Sequence, residues 1–117
     1  MELHLKRVYD ASDAEDGYRV LVDRLWPRGL TRERAAIDLW AKDAAPSTEL
    51  RRAWHAAPDD AWDAFAAEYR AELDGGARGS VDSLRSELLQ HPVATLVFAV
   101  HDPRRTHAVV LRDALGL

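Results

Sequence analysis

The chain has 117 residues, of which 47% are hydrophobic and 31% charged, and its formal net charge is −4 at pH 7. This length suits one domain with one hydrophobic core, and the negative charge argues against a general nucleic-acid coat. No apolar run approaches the roughly 20 residues of a membrane span, the N-terminus does not resemble a signal peptide, and cysteine is absent, so we expect a cytoplasmic protein without disulfides or thiolate chemistry.

Two predicted strands flank an acidic loop in the N-terminal part of the chain. Leu3–Tyr9 is the first, and Tyr18–Leu25 is the second. The second contains the run Val20-Leu21-Val22, which is typical of a strand covered on both faces, and it ends at Pro27, which cannot donate to a ladder. The loop at 10–17 is too short for a crossover helix, so any pairing of the two strands is predicted to be antiparallel.

The middle of the chain is predicted to be helical. Thr31 can cap a short helix that ends at Ala36, and Ser47 is a good cap for a second helix. The stretch 37–46 between them is ambiguous. The clearest helix follows Pro58 and ends at Gly75-Gly76. Its apolar stripe has the spacing i, i+3, i+4, i+7, i+11 and consists of Trp62, Phe65, Ala66, Tyr69 and Leu73.

The C-terminal third predicts a helix, a strand and a second helix. Ser80 can cap the first helix, Thr95–Val100 is a buried strand, and Thr106 can cap the last helix. With the earlier elements, this pattern predicts one α/β domain over residues 1–117, with a short, mostly parallel or mixed sheet flanked by helices.

The first candidate site is the turn at Asp23–Gly29, with the sequence DRLWPRG. Arg24 and Arg28 would lie at a sheet edge, where α/β proteins tend to bind ligands. Guanidinium groups suit phosphate or carboxylate, and the indole of Trp26 could stack on a flat ligand. The alternative is a structural turn in which an arginine pairs with an acid and Trp26 belongs to the core.

The second candidate is the loop at 101–107, which leaves the predicted strand Thr95–Val100. Arg104 and Arg105 precede a helix whose N-terminus offers backbone N–H groups to an anion. His107 or Asp102 could transfer a proton near neutral pH. The alternative is an ordinary strand-to-helix loop with exposed side chains.

Lys42 and Arg51 are further candidate anion ligands in the region between the two arginine-rich segments. Ser47 could be a nucleophile, but no nucleophile-elbow motif surrounds it, and a helix cap explains it better. The five histidines are scattered, and no carboxylate cluster accompanies them, so we expect no metal site. No glycine-rich phosphate loop is present, and we expect no cofactor.

The chain resembles the YeaO-like family of short bacterial proteins, which is classed as a domain of unknown function. The resemblance runs through the segments KRVYD, RVLVDRLWPRGL, DLWAK, APS and ELR, the Trp62–Leu73 helix, the Thr95–Asp102 strand and the segment AVVL. It implies a small α/β fold and no established activity. A longer related branch has Cys-His-Arg at the start of the final helix, where this chain has Thr106-His107-Ala108, so only His107 matches.

Two functional hypotheses remain open at this point. In the first, Arg24, Arg28 and Lys42 join the 102–107 loop to hold a small phosphorylated or carboxylated ligand, with or without catalysis. This hypothesis requires that the two buried strands run parallel, so that both loops meet at one edge. In the second, the same arginine-containing turn at Asp23–Gly29 belongs to a non-catalytic module that binds a protein or a nucleic-acid backbone. A deep pocket with a buried ionisable group would favour the first.

Phe65 lies in the middle of the predicted apolar stripe. We predict that Phe65→Ala lowers the free energy of unfolding by roughly 3–5 kcal/mol, because it empties an aromatic core position. Urea unfolding of the two proteins measures the difference. A loss below about 1 kcal/mol would contradict the predicted packing of this helix.

Overall fold

The computed structural model describes residues 1–102 and 105–117. Within them the strands are β1 (Glu2–Arg7), β2 (Tyr18–Leu21), β3 (Leu39–Trp40) and β4 (Val93–Phe98). The α-helices are α1 (Arg32–Ala35), α2 (Thr48–Ala56), α3 (Trp62–Asp74), α4 (Arg78–Leu88) and α5 (His107–Leu115). Short 3-10 helices lie at Ala14–Asp16, Lys42–Ala44 and Asp59–Ala61. None of the helices in the described ranges is long and apolar enough to cross a membrane.

The four strands form one parallel sheet in the order β1-β4-β2-β3. This confirms the predicted α/β fold. In the register, Leu96 of β4 lies opposite Leu5 of β1 on one side and Val20 of β2 on the other. The antiparallel pairing that was predicted for any contact between β1 and β2 does not occur: β4 lies between them, and both strands are parallel to it.

The connection from β1 to β2 shows how a short loop can join two strands that are both parallel to β4. Residues 8–17 return to the start of β2 with a single 3-10 helix, and the Thr95 hydroxyl of β4 donates to the carbonyl oxygen of Asp16 at 2.7 Å. Gly17 then enters β2 with φ 64°, and a Cβ at this position would collide with the Val93 carbonyl. Glycine is therefore required where the segment passes beside β4.

The two faces of β4 belong to two hydrophobic clusters. Leu96 and Phe98 face the larger core, which α2 to α5 cover. Val97, on the opposite face, packs with Val8 and Leu21 in a smaller cluster. This alternation follows from the period of two in a strand, and it explains why the whole of β4 from Ala94 onward is buried.

The predicted helix signals are mostly confirmed. Phe65, Tyr69 and Leu73 of the α3 stripe are buried. The side chains of the predicted caps accept backbone N–H groups as expected, namely those of Thr31, Ser47 and Thr106. The prediction that Ser80 caps α4 is wrong: the helix begins at Arg78, because the Gly75–Ala77 turn leads directly into it and the Ala77 N–H bonds to the Glu72 carbonyl.

A buried ion pair lies on the face of the sheet that the β1–β2 connection covers. The Arg19 guanidinium is 4% exposed; it contacts the Asp16 carboxylate and donates to the carbonyl oxygens of Ala35 and Ala36 at 2.9 and 3.1 Å. Lys6 Nζ lies 3.1 Å from both Asp16 oxygens. Arg19 is therefore a structural residue, although its sequence neighbourhood is rich in exposed arginines.

The environment of Asp16 favours its ionised form. Burial by itself raises the pKa of this carboxyl group, but the hydrogen bonds from the Asp13 backbone, Lys6 and Arg19, with the positive charge of Lys6, outweigh burial and lower the pKa below its ordinary value. A pKa that folding lowers means that the ionised group stabilises the folded state above the unfolded-state pKa of about 3.9. This contribution is lost as the pH falls through the folded-state pKa.

We therefore predict that Asp16→Asn lowers the free energy of unfolding by about 3 kcal/mol at pH 7, since Arg19 keeps a buried charge without its counter-ion. The difference from the parent protein should shrink as the pH falls below about 4. Urea unfolding between pH 7 and pH 3 measures both effects.

Asp74→Asn is the matched control, because the Arg70–Asp74 pair is exposed and its loss should cost at most about 0.5 kcal/mol. A difference for Asp16→Asn that stays constant across this pH range would contradict the assignment to the ionised carboxylate.

Candidate functional site

The side chain of Asp23 joins the ends of β2 and β4 to the start of α5. Its Oδ2 accepts the Ala99 N–H at 2.9 Å, and its Oδ1 lies 3.0 Å from His107 Nε2. The same imidazole nitrogen lies 2.9 Å from the Val22 carbonyl oxygen. The basic turn and the loop before α5 therefore leave the same edge of the sheet, as they must when β2 and β4 are parallel.

His107 is buried, and its ring orientation is fixed by its neighbours. Only 8% of the residue is exposed, and Tyr69 meets the imidazole edge-on at 6.0 Å between ring centres. Because Nε2 faces two oxygen atoms, it carries the proton and donates. Burial raises the pKa of Tyr69 far above its ordinary range, so this phenol stays neutral and donates to the Ala44 carbonyl.

Arg24 holds the segment that leads into α2. Its Nε donates to the Pro46 carbonyl at 2.9 Å and a terminal nitrogen donates to the Ala45 carbonyl at 3.2 Å. Next to them, the Ser47 backbone N–H and hydroxyl both donate to the Glu72 carboxylate, and the same hydroxyl caps α2. These contacts confirm that Ser47 is a helix cap, and they give Arg24 a structural role within the candidate site.

The turn at 24–30, called the basic turn below, is held by aromatic side chains. Trp26 Nε1 donates to the Leu30 carbonyl at 2.8 Å, and the Tyr9 hydroxyl donates to the Arg28 carbonyl at 2.9 Å. Trp40 Nε1 donates to the Asp23 carbonyl at 2.7 Å, just before the turn. Each bond satisfies a carbonyl that regular structure does not, so the turn has one defined shape.

A cleft of about 340 Å³ opens at this edge of the sheet. One wall is the basic turn, a second is α2, and the floor includes His107 and Phe65. Its lining residues are Tyr9, Asp23, Arg24, Leu25, Trp26, Pro27, Arg28, Pro46, Arg51, Trp54, His55, Phe65, Ala99, Val100, Arg105 and His107.

Positive charge dominates the polar groups of this cleft. Arg28 is exposed and Arg51 is half-buried, and neither guanidinium makes a hydrogen bond or an ion pair with the residues that the structure describes. Arg105 extends the positive charge along the lining. Asp23 is the carboxylate in the lining, and its oxygens are already bound to Ala99 and His107.

The structure brings together five of the eight predicted site residues: Arg24, Trp26, Arg28, Arg51 and His107 line the cleft. Lys42 and Asp102 are not among the lining residues. The Lys42 ammonium lies 5.0 Å from the ring centre of Trp40, and the Asp102 backbone carbonyl accepts the Arg105 N–H. Arg104 lies outside the described residues.

Sequence reasoning missed Asp23 as a site residue, although it quoted Asp23 as part of the DRLWPRG motif. The sequence places an acidic residue directly after the buried run Val20-Leu21-Val22. An unpaired carboxylate at the end of a buried strand would destabilise the fold, so this position indicates a carboxylate that is bound by other groups. Tyr9 was missed as a lining residue because it follows β1, whose approach to the basic turn depends on tertiary packing. The sequence favours a core position for Trp54, on the same helix as Arg51; the side chain packs against the larger core, and the residue also lines the cleft.

The fold and this geometry define a small α/β protein with an arginine-rich cleft at the carboxyl edge of a parallel sheet. The chain belongs to the family described as the inactive DUF488-N3 subclade, whose model matches residues 2–116.

Among curated proteins, the chain is 40% identical over 116 residues to the uncharacterised protein YeaO of Escherichia coli K12, which covers 98% of this chain and 97% of YeaO. It is 41% identical over 114 residues to the uncharacterised protein Rv3073c of Mycobacterium tuberculosis H37Rv, which covers 97% of this chain and 93% of that protein. These matches confirm the resemblance to the YeaO-like family. No solved structure matches the chain at a significant level.

Two arginines of the basic turn should respond differently to truncation. We predict that Arg24→Ala lowers the free energy of unfolding by about 1–3 kcal/mol, because the carbonyls of Ala45 and Pro46 lose charged donors. Arg28→Ala should change it by less than about 0.5 kcal/mol, since no described partner holds the Arg28 guanidinium. Urea unfolding of both variants without added anions measures this. Equal losses in the two variants would contradict the assignment.

Proposed function

We propose that this protein binds a small anionic ligand, phosphorylated or carboxylated, in the cleft between the basic turn and α2. The observation that carries the proposal is the pair Arg28 and Arg51. Both residues line one concave surface, and neither side chain has a partner among the described residues. Two cations on one cleft add to its positive potential, which an anion bound there neutralises.

The chemistry of the cleft suits an anion held by direct hydrogen bonds. A guanidinium presents two parallel N–H donors, which match the oxygens of a phosphate or a carboxylate. Trp26, Pro27 and Pro46 form apolar parts of the lining, which would shield a bound anion from water. Charge-assisted hydrogen bonds are stronger in such surroundings than at an open surface.

The proposal is for binding without catalysis. The longer related branch has Cys-His-Arg at the start of the final helix, whereas this chain has Thr106 and Ala108 on either side of His107. The Nε2 proton of His107 is engaged by the Val22 carbonyl and Asp23, so that nitrogen cannot accept a proton from a ligand. The description of the matched family as inactive is consistent with this proposal.

A second candidate function is a module that docks on a protein or a nucleic-acid backbone. Arg28 is exposed, and Leu25 on the same turn is 57% exposed, which favours contact with a larger partner. The small ligand remains the better supported candidate, because Arg28 and Arg51 face a concave cleft with the buried His107 in its floor.

Thermal unfolding with added anions tests the proposal. A ligand at about 100 times its Kd stabilises the folded state by about 2.7 kcal/mol. We predict that a phosphorylated or carboxylated compound from a metabolite library raises the Tm of the parent protein. Arg28→Ala and Arg51→Ala should each remove this rise.

Arg52→Ala is the matched control, since Arg52 is exposed on the same helix and does not line the cleft; it should retain the rise. If Arg28→Ala unfolds the protein without ligand, Arg28 is structural and the proposal is wrong. Equal loss of the rise in all three variants would indicate nonspecific attraction of anions to the surface.

A further inference from the structure

We infer that the ligand carries a flat aromatic ring beside its anionic group. This inference rests on the proposed function and narrows it to a ligand class. Mononucleotides and aromatic carboxylates share this chemistry, and both are small enough for one cleft. Three features of the cleft support the inference: its size, the hydrogen bonds of its aromatic side chains and the placement of Arg51 and Trp54 on one helix.

The cleft is larger than an isolated anion requires. Its volume of about 340 Å³ falls in the range of clefts that bind organic ligands, roughly 300–1,000 Å³. A phosphate or carboxylate group alone would fill a small part of it. Leu25, Pro27 and Val100 are among the other lining residues, and they offer contact surface to an apolar body rather than to further charge.

Two of the aromatic side chains at the cleft, those of Trp26 and Tyr9, offer a ligand ring surface rather than a hydrogen-bond donor. Trp26 Nε1 and the Tyr9 hydroxyl are already bound to backbone carbonyls of the basic turn. Neither group has a donor left for a ligand. What remains on these partly exposed residues is aromatic ring surface, which prefers offset stacking or edge contacts with another ring.

Trp54 and Arg51 place a ring and a cation side by side. They are three positions apart on α2, a spacing that puts two side chains on the same face of a helix, and both line the cleft. Trp54 is half-buried and packs against Phe65 at 4.6 Å and against Trp62 at 5.5 Å between ring centres. Such a packed indole is a rigid stacking surface next to the guanidinium.

The affinities of four probes test the inference by titration calorimetry. The probes are inorganic phosphate, adenosine 5′-monophosphate, acetate and indole-3-acetate. At least one aromatic anion should bind about tenfold more tightly than the matching simple anion, since stacking on an aromatic side chain contributes about 1–3 kcal/mol. Comparison of the phosphate pair with the carboxylate pair shows which anionic group the cleft prefers. The first pair is inorganic phosphate and adenosine 5′-monophosphate, and the second is acetate and indole-3-acetate.

Two tryptophan variants test whether the aromatic ring of the ligand stacks on Trp54. Trp54→Leu should remove the tenfold preference of the aromatic anion over the simple anion. Trp62→Leu is the matched control, because Trp62 belongs to the same aromatic cluster and does not line the cleft; it should retain the preference. If Trp54→Leu does not fold, the ratio of the two affinities in the parent protein still decides the inference.

The outcomes separate this inference from the proposed function. Simple anions that bind as tightly as both aromatic anions would overturn the inference and leave the proposed function standing. A preference that survives in Trp54→Leu would also overturn it. Absence of binding by every anion in the metabolite screen and by all four probes would overturn the proposed function, and the inference with it.

Discussion

The arrangement of strands and helices around the candidate cleft depends on the contacts of the Asp23 carboxylate. This carboxylate is bound to the backbone of Ala99 after β4 and to the imidazole of His107 at the start of α5. Its own backbone carbonyl accepts the indole N–H of Trp40. One residue thereby sets the relative positions of two strand ends, a helix and the edge strand β3, and these elements surround the candidate cleft.

The positions of the other elements around the cleft depend on these contacts of Asp23. With His107 fixed, Tyr69 is held against it, and the Tyr69 hydroxyl bonds to the Ala44 carbonyl. The following carbonyls, at Ala45 and Pro46, are bound by Arg24. The start of α2 is therefore placed by contacts with the floor and with the basic turn, and this placement decides where the side chains of α2 enter the cleft.

The elements that local signals determine were predictable from the sequence. The buried run Val20–Val22, the apolar stripe of α3 and three of the four proposed caps depend on nearest neighbours along the chain. The meeting of the basic turn with the loop before α5 was stated only as a condition of the first hypothesis, and the parallel pairing of β2 with β4 meets that condition. The family resemblance covers nearly the whole chain in order, and the matched model agrees with it.

The features that the sequence did not predict depend on contacts between residues that are far apart along the chain. The position of β4 between β1 and β2 is decided by packing on both of its faces, and no rule about loop length contains that information. Arg19 looks like a surface arginine until Asp16 and the carbonyls of Ala35 and Ala36 come together around it. Lys42 is near the basic turn in sequence, but its ammonium lies over the ring of Trp40.

The hydrogen bonds that hold the basic turn have a consequence for the thermodynamics of the proposed binding. With its carbonyls already bound by Trp26 and Tyr9, the backbone of the turn loses its conformational entropy when the protein folds and not when a ligand arrives. The side chains of Arg28 and Arg51 then remain to be ordered. The cleft is preorganised, so that a ligand's interaction energy goes into affinity rather than into ordering the loop.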